Sequence, residues 1–343
     1  MTLLPIQEYR KMFAQNTWRR WTLLVVGLAL LAPATIFPNQ KHKKNKDKQT
    51  LPDGIPVLWR APSDIKNRDL YWGEGGKGQQ PDLRSVTLIK KEKGGYSTKY
   101  RVRDASGREW VAKLGKEAKG ETAASRLMWA VGYLPDVNYL VPRVHVDGLN
   151  KDLENVRFGL RPKGVKRVDG WQWKKNPFVG SREFQGMKVM MALLNNWDIK
   201  DSNNKVAVVR NNKIADNELR YFVSDLGGSF GKVSHIPRFL YFKPDRNNPK
   251  AYARTRLIDR VKDDRVDFHY KLRRKDLFKN VTVDQAQWIN GWLSRLSDRQ
   301  LEDAFRAANY SPDEVRMMSR GVRARITELS GVRNTLARRV KHH

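Results

Sequence analysis

The sequence contains no cysteine. Disulfide bonds, thiolate metal sites and a cysteine nucleophile are therefore excluded, although a cysteine-free fold is stable in either redox compartment. The sequence also lacks the Gly-Lys-Ser/Thr end of a P-loop, and its six histidines show no metal-ligand spacing. These absences exclude thiol chemistry, P-loop nucleotide binding and a histidine-based metal site.

Acidic residues are scarce relative to basic ones. The chain has 36 Asp and Glu against 67 Lys and Arg, which gives a net charge of +31. Such a surface attracts phosphates, nucleotides, acidic lipid headgroups and nucleic acid, but the charge alone selects no partner. With 343 residues, of which 40% are hydrophobic and 10% aromatic, the chain is long and apolar enough for one two-lobed domain or two small ones.

An uncharged apolar run spans Thr22–Phe37. A membrane-spanning helix needs about 20 residues, so this run is short for one and suits a signal-peptide core, with small residues for cleavage at Ala32-Pro33-Ala34. We expect residues 1–37 to be a signal peptide or membrane anchor with a hydrophobic helix, and 38–55 to be a basic linker. Basic residues flank both sides of the run, so the side of the membrane stays undecided, and Lys41–Lys48 would lie against an anionic membrane surface if the segment is not cleaved.

The pattern beyond residue 55 predicts an α+β body with a small β-rich lobe over 56–140 and a mainly helical lobe over 141–343. Alternating strands separated by glycine turns give way to helical periodicity near residue 182. We expect strands at 85–91, 99–103, 109–114, 141–146 and 156–160, a hairpin at 206–210 and 219–223, and helices at 121–131, 182–195, 285–296, 298–308 and from 312 onward. From about residue 253 the sequence indicates helices.

Residues suited to phosphoryl transfer occur in a workable order. The reaction needs a cation at the nucleotide phosphates, carboxylate and amide oxygens for Mg²⁺, and a carboxylate at the nucleophile. Lys113 lies in a predicted strand, Glu121 opens the next helix, Asp198–Asn203 form a loop, and Asp225 ends a hairpin. We also expect Asp198, Asp201 and Asp225 to repel one another unless a metal holds them, because Lys200 is the chief basic neighbour in sequence.

These segments resemble those of protein kinases. Asp198-x-Lys200-x-x-Asn203 is similar to the catalytic loop Asp-x-Lys-x-x-Asn, Asp225-Leu226-Gly227 to the Asp-Phe-Gly metal motif, and Val111-Ala112-Lys113 to the strand that carries the kinase lysine. Glu121 with Ala123-Ala124 resembles the Glu-x-Ala-Ala helix of atypical protein and lipid kinases, such as the phosphatidylinositol 4-kinase, HipA-like and Fam20-like groups. The resemblance covers roughly residues 85–235 and implies a bilobal kinase-like fold, in a bacterial branch of that superfamily.

The resemblance also implies roles in an ATP-dependent phosphotransferase. Lys113 would hold the α and β phosphates of ATP, and Glu121 would orient it. Gly94 and Gly95 would let the hairpin backbone approach the phosphates. Asp198 would serve the acceptor hydroxyl, Lys200 would offset charge on the γ-phosphate, and Asn203 with Asp225 would bind Mg²⁺ or Mn²⁺.

Some features depart from the kinase pattern. Asn196-Trp197 replaces the His-Arg pair before the catalytic aspartate, and no Ala-Pro-Glu segment follows Asp225. The spacing between Lys113 and Glu121 is short, so Glu117 is a rival partner for the lysine. The departures argue against an ordinary Ser/Thr/Tyr kinase and leave a lipid, small-molecule or pseudokinase role open. Whether the acceptor is a protein, a lipid or a small molecule stays undecided.

Two alternatives remain open. A catalytically inactive pseudokinase scaffold would keep the same residues without turnover. A module that binds anionic surfaces or nucleic acid would use the net charge and the segment Trp171–Lys175, whose tryptophans could stack on bases. Nucleic acid is the less favoured partner, because no DNA- or RNA-binding motif occurs in the sequence and an exported chain meets little nucleic acid.

Overall fold

The computed structural model describes residues 51–93, 97–149, 151–210, 217–232, 245–271 and 274–340. Residues Gln49–His343 form one compact unit. The described part is an α+β structure with three sheets. Its strands are β1 (Gly54–Val57), β2 (Val86–Glu92), β3 (Lys99–Asp104), β4 (Glu109–Lys113), β5 (Asn138–Val144), β6 (Leu153–Leu160), β7 (Lys166–Asp169), β8 (Asn204–Arg210), β9 (Asn217–Val223), β10 (Ile258–Lys262) and β11 (Arg265–Phe268). Its α-helices are α1 (Glu117–Ala130), α2 (Arg182–Leu193), α3 (Pro249–Ala253), α4 (Val283–Leu293), α5 (Asp298–Arg306) and α6 (Pro312–Val340).

The first large sheet is antiparallel, with five strands in the order β2-β3-β4-β6-β5. Trp110 and Phe158, both fully buried, stand near the middle of its hydrophobic core. Helix α1 connects β4 to β5 and packs against β5 and β6. This crossing places the N-terminal turn of α1 beside the end of β4, where Lys113 lies.

The second sheet brings the two ends of a hairpin together. It has four strands in the order β1-β9-β8-β7, with β1 parallel to β9 and the other pairs antiparallel. In the β8–β9 ladder Asn204 pairs with Val223. Since antiparallel partners lie side by side, the residues just before β8 and just after β9 are neighbours. Asn203 and Ser224 are therefore adjacent, and the backbone N–H of Ser224 donates to the carbonyl of Asn203 at 2.8 Å.

Capped helix N-termini and one buried arginine stabilise the helical part. Ser181 caps α2, and capping boxes begin α4 at Thr282 and α5 at Ser297, which satisfies the free N–H groups of each first turn. Arg325 on α6 is buried and donates to the carbonyl of Leu193 at 3.0 Å and to other oxygens nearby. It therefore ties the C-terminal helix to the end of α2, just before the Asp198 loop.

Each element predicted before residue 223 has an observed counterpart, but strands β1, which begins inside the predicted linker, and β7 were not predicted. Helix α1, however, begins four residues before the predicted start, and the five-stranded sheet runs on past residue 140. The expectation of helices from about residue 253 is wrong over 258–268, where β10 and β11 form a hairpin. Its turn is Asp263-Asp264, both at positive φ (48° and 58°), a conformation typical of a two-residue hairpin turn.

Three sequence predictions fall outside the described residues. They are the hydrophobic helix within residues 1–37, the linker 38–55 up to residue 50, and the glycine pair at 94 and 95. None of the helices in the described ranges combines the length and the hydropathy that a membrane span requires.

Candidate active site

Lys113 lies at the end of β4 with its side chain only 5% exposed. Its Nζ lies 2.8 Å from Glu121 Oε2, 2.9 Å from Glu117 Oε2 and 3.3 Å from Asp225 Oδ1. Burial acts to lower the pKa of Lys113, but the negative charges of Glu121 and Asp225 outweigh it and the pKa is raised. The lysine is therefore a fixed cation that joins the first sheet, α1 and the loop after β9.

Helix α1 supplies both glutamates that contact Lys113. Because the helix begins at Glu117, Glu117 and Glu121 stand one turn apart on the same face. The second oxygen of Glu121 lies 3.3 Å from Arg157 on β6, which is also buried. The second oxygen of Glu117 pairs with Arg246, and Ser97 Oγ donates to Glu117 as well. The sequence left open whether Glu117 or Glu121 pairs with Lys113, and in the structure both do.

Asp225 is held between the lysine and its own loop. Its Oδ1 also accepts the backbone N–H of Gly227 at 3.0 Å. Burial acts to raise the pKa of Asp225, yet the charge of Lys113 and the Gly227 N–H together lower it. The carboxylate is thus ionised near neutral pH, and about one third of its side chain is exposed.

The two glycines after Asp225 permit close approach on both sides. A Cβ on Gly227 would lie 2.9 Å from the Cβ of Glu117, and one on Gly228 would lie 2.7 Å from Asn196 Oδ1 and 3.0 Å from the Cβ of Asp198. Side chains at these positions would push the segments apart. The Asp225 loop therefore contacts both the N-terminal turn of α1 and the Asp198 loop.

The loop from 196 to 203 is ordered by its own hydrogen bonds. Asn196 Oδ1 accepts the backbone N–H of Asp198 at 3.0 Å, and Asn203 Nδ2 donates to the carbonyl of Asp198 at 2.6 Å. The carboxylate of Asp198 lies 2.8 Å from Lys200 Nζ. The hydroxyl of Tyr270 also donates to the carbonyl of Asn196 at 2.8 Å, which fixes the start of the loop.

The structure brings together most of the site residues that the sequence suggested. Lys113, Glu121 and Asp225 are in direct contact, as are Asp198, Lys200 and Asn203, and the Gly227-Gly228 backbone connects the two groups. Gly94 and Gly95 lie outside the described residues; Ser97, which is described, contacts Glu117.

The expectation that the three aspartates need a metal to hold them together is not supported. Each has its own basic partner: Lys200 for Asp198, Arg274 for Asp201 and Lys113 for Asp225. Among the described residues, no cluster of three or more carboxylate or histidine side chains is arranged for a metal. Sequence neighbours alone could not show this, because Lys113 and Arg274 come from segments distant in sequence.

A divalent cation that arrives with nucleotide phosphates still has suitable ligands. Asn203 donates its side-chain amide nitrogen to Asp198, so the oxygen of the same amide is the atom that could bind a metal, and Asp225 uses one carboxylate oxygen on Lys113 and Gly227. Mg²⁺ binds few protein oxygens and relies on phosphate oxygens and water for the rest. Asn203 and Asp225 are therefore the residues that could hold such a cation.

Two other sequence patterns prove to be packing features. In the glycine-rich stretch 73–78, a Cβ on Gly73 would lie 2.7 Å from the guanidinium of Arg126, and one on Gly75 would lie 2.1 Å from the hydroxyl of Tyr139. Gly227–Gly231 also matches the Gly-x-Ser-x-Gly pattern of hydrolases, but Ser229 is fully buried and no substrate could reach it. Gly73, Gly75 and Ser229 are therefore packing positions.

The tryptophans of Trp171–Lys175 are part of the core. Trp171 is 5% exposed and Trp173 is 2% exposed, and both pack near Phe184 of α2. A buried ring cannot stack on a nucleic-acid base, so these two tryptophans give no support for nucleic-acid binding. The lysines of the same segment remain at the surface.

Sequence reasoning missed three basic residues that shape the site. Arg157 and Arg246 neutralise the glutamates of α1, and Arg274 contacts Asp201 of the loop. Arg157 offered a weak signal, as a charged residue inside the apolar strand β6. The other two carried none, because their segments have no pattern of their own.

Comparison with known proteins adds little at the level of sequence. Neither the protein-family models nor the curated protein sequences give a match to the chain. Among solved structures, the chain is similar to the Helicobacter pylori proinflammatory kinase CtkA, with 12% sequence identity and a TM-score of 0.43 over 76% of this chain and 97% of that chain. We draw no conclusion about activity from a likeness at this distance.

Proposed function

We propose that this chain is an ATP-dependent phosphotransferase of the kinase-like class that acts on an alcohol group. The observation that carries the proposal is a single contact, between Lys113 Nζ and Asp225 Oδ1 at 3.3 Å. It joins a strand lysine to an aspartate more than a hundred residues later, in the arrangement by which kinases hold nucleotide phosphates and metal. The Asp198 loop lies on the other side of the same glycine pair.

In this proposal each residue has one task. Lys113 binds the α and β phosphates of ATP, and Glu121, fixed by Arg157, keeps its ammonium in place. Asn203 and Asp225 hold Mg²⁺ or Mn²⁺, which supplies charge neutralisation at the phosphates when it is bound. Lys200 breaks its ion pair with Asp198 and moves to the γ-phosphate, where it offsets negative charge. The carboxylate of Asp198 is then free to accept the proton of the acceptor hydroxyl.

The transfer itself is a displacement at phosphorus. The acceptor oxygen forms a bond to the γ-phosphorus while the bond from that phosphorus to the β–γ bridging oxygen breaks. ADP leaves with the electron pair, and the hydroxyl proton passes to the carboxylate of Asp198.

The proposal also includes the N-terminal segment. Residues 1–37 would be a membrane anchor or signal peptide, and the lysine run at 41–48 would contact an anionic membrane surface.

The test is a nucleotide thermal-shift assay with and without Mg²⁺ or Mn²⁺, combined with transfer of labelled γ-phosphate. A ligand that binds only the folded state raises its stability, so ATP with metal should raise the melting temperature of the parent. Asp225→Asn should abolish the metal-dependent part of the shift, because it removes a metal ligand. Asp198→Asn should keep the shift and stop transfer, because it serves the acceptor.

Two results would contradict the proposal. One is a parent protein that binds no nucleotide with either metal, which would favour the anion-binding alternative. The other is an Asp198→Asn variant that transfers phosphate at the parental rate. Nucleotide binding without any transfer would instead indicate the pseudokinase scaffold.

A further inference from the structure

A tight turn at 170–175 lies directly beside the Asp198 loop. The backbone N–H of Trp173 donates to Asp201 Oδ1 at 3.1 Å, and Asn204 Nδ2 donates to the carbonyl of Trp171 at 3.0 Å. The buried rings of Trp171 and Trp173 anchor the turn in the core. Anchoring fixes the position of the residue that follows, Lys174, whose side chain is 71% exposed.

The segment that follows β11 also contacts the Asp198 loop. We call this segment and the 170–175 turn the two walls of the loop. Arg274 Nη1 lies 3.5 Å from Asp201 Oδ1, and Lys174 Nζ forms an ion pair with Asp276 Oδ2 at 2.9 Å. Arg274 holds a left-handed backbone conformation with φ of 58°, which is uncommon for a residue other than glycine. Such conformations persist where surrounding contacts determine them, and they cluster at ligand-binding sites.

The two walls give the rim of the Asp198 loop an excess of positive charge. Its exposed or half-exposed cations are Lys174, Lys175, Lys200, Arg274 and Lys275. Asp201 and Asp276 neutralise part of this charge. Lys175 and Lys275 are exposed, and no acidic side chain among the described residues pairs with either. We call these five cations the acceptor rim.

We propose that the acceptor rim selects a hydroxyl on an acidic peptide segment, an inference that rests on the proposed phosphotransfer. Only 15% of the Asp198 side chain is exposed, so little of its carboxylate is open to an acceptor hydroxyl. A serine or threonine on an extended peptide can project a single hydroxyl to such a side chain while its acidic neighbours reach the rim lysines. A bilayer instead presents its headgroups as a broad surface, which suits a mostly covered carboxylate less well.

The charges of the rim act through solvent, which sets the expected size of the effect. An exposed ion pair contributes modestly, so each lysine should change peptide affinity by about two- to fivefold. Three lysines together should therefore change affinity by roughly tenfold or more, if their effects are independent. Attraction between exposed charges is screened by salt, so the preference should weaken as ionic strength rises.

The experiment uses the full chain and two synthetic peptides of equal length, each with one serine flanked by glutamates or by lysines. Fluorescence anisotropy gives peptide binding, and labelled ATP gives transfer. We expect the glutamate peptide to bind at least tenfold tighter and to accept phosphate more efficiently. The variant Lys174→Gln/Lys175→Gln/Lys275→Gln should lose most of that preference, with KM for the peptide affected more than kcat.

A matched control removes three exposed lysines elsewhere, Lys66→Gln/Lys151→Gln/Lys163→Gln, and should keep the preference. The ATP and Mg²⁺ thermal shift should be the same in the parent, the triple variant and the control, which separates a failure of the rim from a failure of nucleotide binding. If nucleotide binds and the two peptides bind equally well, the acceptor rim is wrong and the phosphotransferase proposal stands.

Two further outcomes would overturn the inference. One is binding to vesicles of phosphatidylcholine and phosphatidylserine that depends on the three lysines while the glutamate peptide does not compete, which would assign the rim to a membrane surface. The other is a parent that binds the glutamate peptide but no nucleotide, which would make the rim a docking surface and not an acceptor site.

Discussion

Replacing Lys113 with methionine tests the charge arrangement on which the site depends. Methionine is unbranched and one heavy atom shorter than lysine, so the substitution keeps most of the apolar stem and leaves Glu117, Glu121 and Asp225 without their shared cation. Removing one partner of a buried ion pair costs roughly 3–5 kcal/mol. Arg157 remains on Glu121 and Arg246 on Glu117, and Asp225 is partly exposed, so we expect a loss of about 2–3 kcal/mol in the free energy of unfolding.

The loss should depend on pH in a defined direction. In the parent, the pKa of Asp225 lies below its unfolded value, so its interactions stabilise the fold above that unfolded value, about 3.9, and this contribution fades as pH falls through the folded pKa. Without Lys113, burial raises the pKa instead, and the ionised carboxylate destabilises the fold until it is protonated. The difference between parent and variant should therefore be larger at pH 7 than at pH 4.

Urea unfolding followed by tryptophan fluorescence at the two pH values measures this difference. The control is Lys90→Met, a change at an exposed strand lysine, which should stay within about 0.5 kcal/mol of the parent. Adding Asp225→Asn to Lys113→Met should restore part of the stability, because the uncompensated charge is then removed. A Lys113→Met variant as stable as the parent at pH 7, or one whose deficit grows on acidification, would refute the ion cluster.

Three other predictions concern the frame around the site. Trp173→Ala should lower the free energy of unfolding by about 3–5 kcal/mol, because it leaves a cavity behind the 170–175 turn; a loss under 1 kcal/mol in urea unfolding would contradict its burial. Arg325→Met should cost about 3 kcal/mol in the same assay, because it strips buried oxygens, among them the carbonyl of Leu193, of their donor; an unchanged midpoint would be the contrary result. Removing residues 1–50 should leave the melting temperature in calorimetry unchanged, because Gln49–His343 form a compact unit; aggregation or a lower melting temperature would place the apolar run in the core.

Much of the first sheet and of the site could be predicted because the signals are local. Turn residues such as Gly107, which adopts a positive φ of 79°, separate alternating strands, and this pattern fixes β3 and β4 and hence the position of Lys113. The pairing of Asn203 with the start of the Asp225 segment follows from the β8–β9 hairpin, which the sequence also indicated. Local periodicity thus places the lysine, the loop and the aspartate.

The β10–β11 hairpin and the chain after it could not be predicted in this way. Its turn is built from two aspartates at positive φ, whereas the usual signal for such a turn contains glycine or asparagine. Val261, Val266 and Phe268 are buried, but a register shift between Ile258 and Arg260 disturbs the alternation. Arg274 and Lys275 of the acceptor rim follow this hairpin and could not be placed either, whereas Lys174, Lys175 and Lys200 lie in segments that the sequence had singled out.

The choice between Glu117 and Glu121 shows how four residues of helix alter the interpretation of a site. With the helix predicted to start at Glu121, Glu117 belongs to a turn and only one glutamate faces the lysine. With the helix starting at Glu117, both face it, and their remaining contacts differ. Glu121 is held by Arg157 within the sheet, whereas Glu117 contacts Ser97, just before β3, and Arg246, beyond the Asp225 loop. Glu121 therefore fixes Lys113 to the sheet, and Glu117 connects the lysine to the segments that carry Ser97 and Arg246.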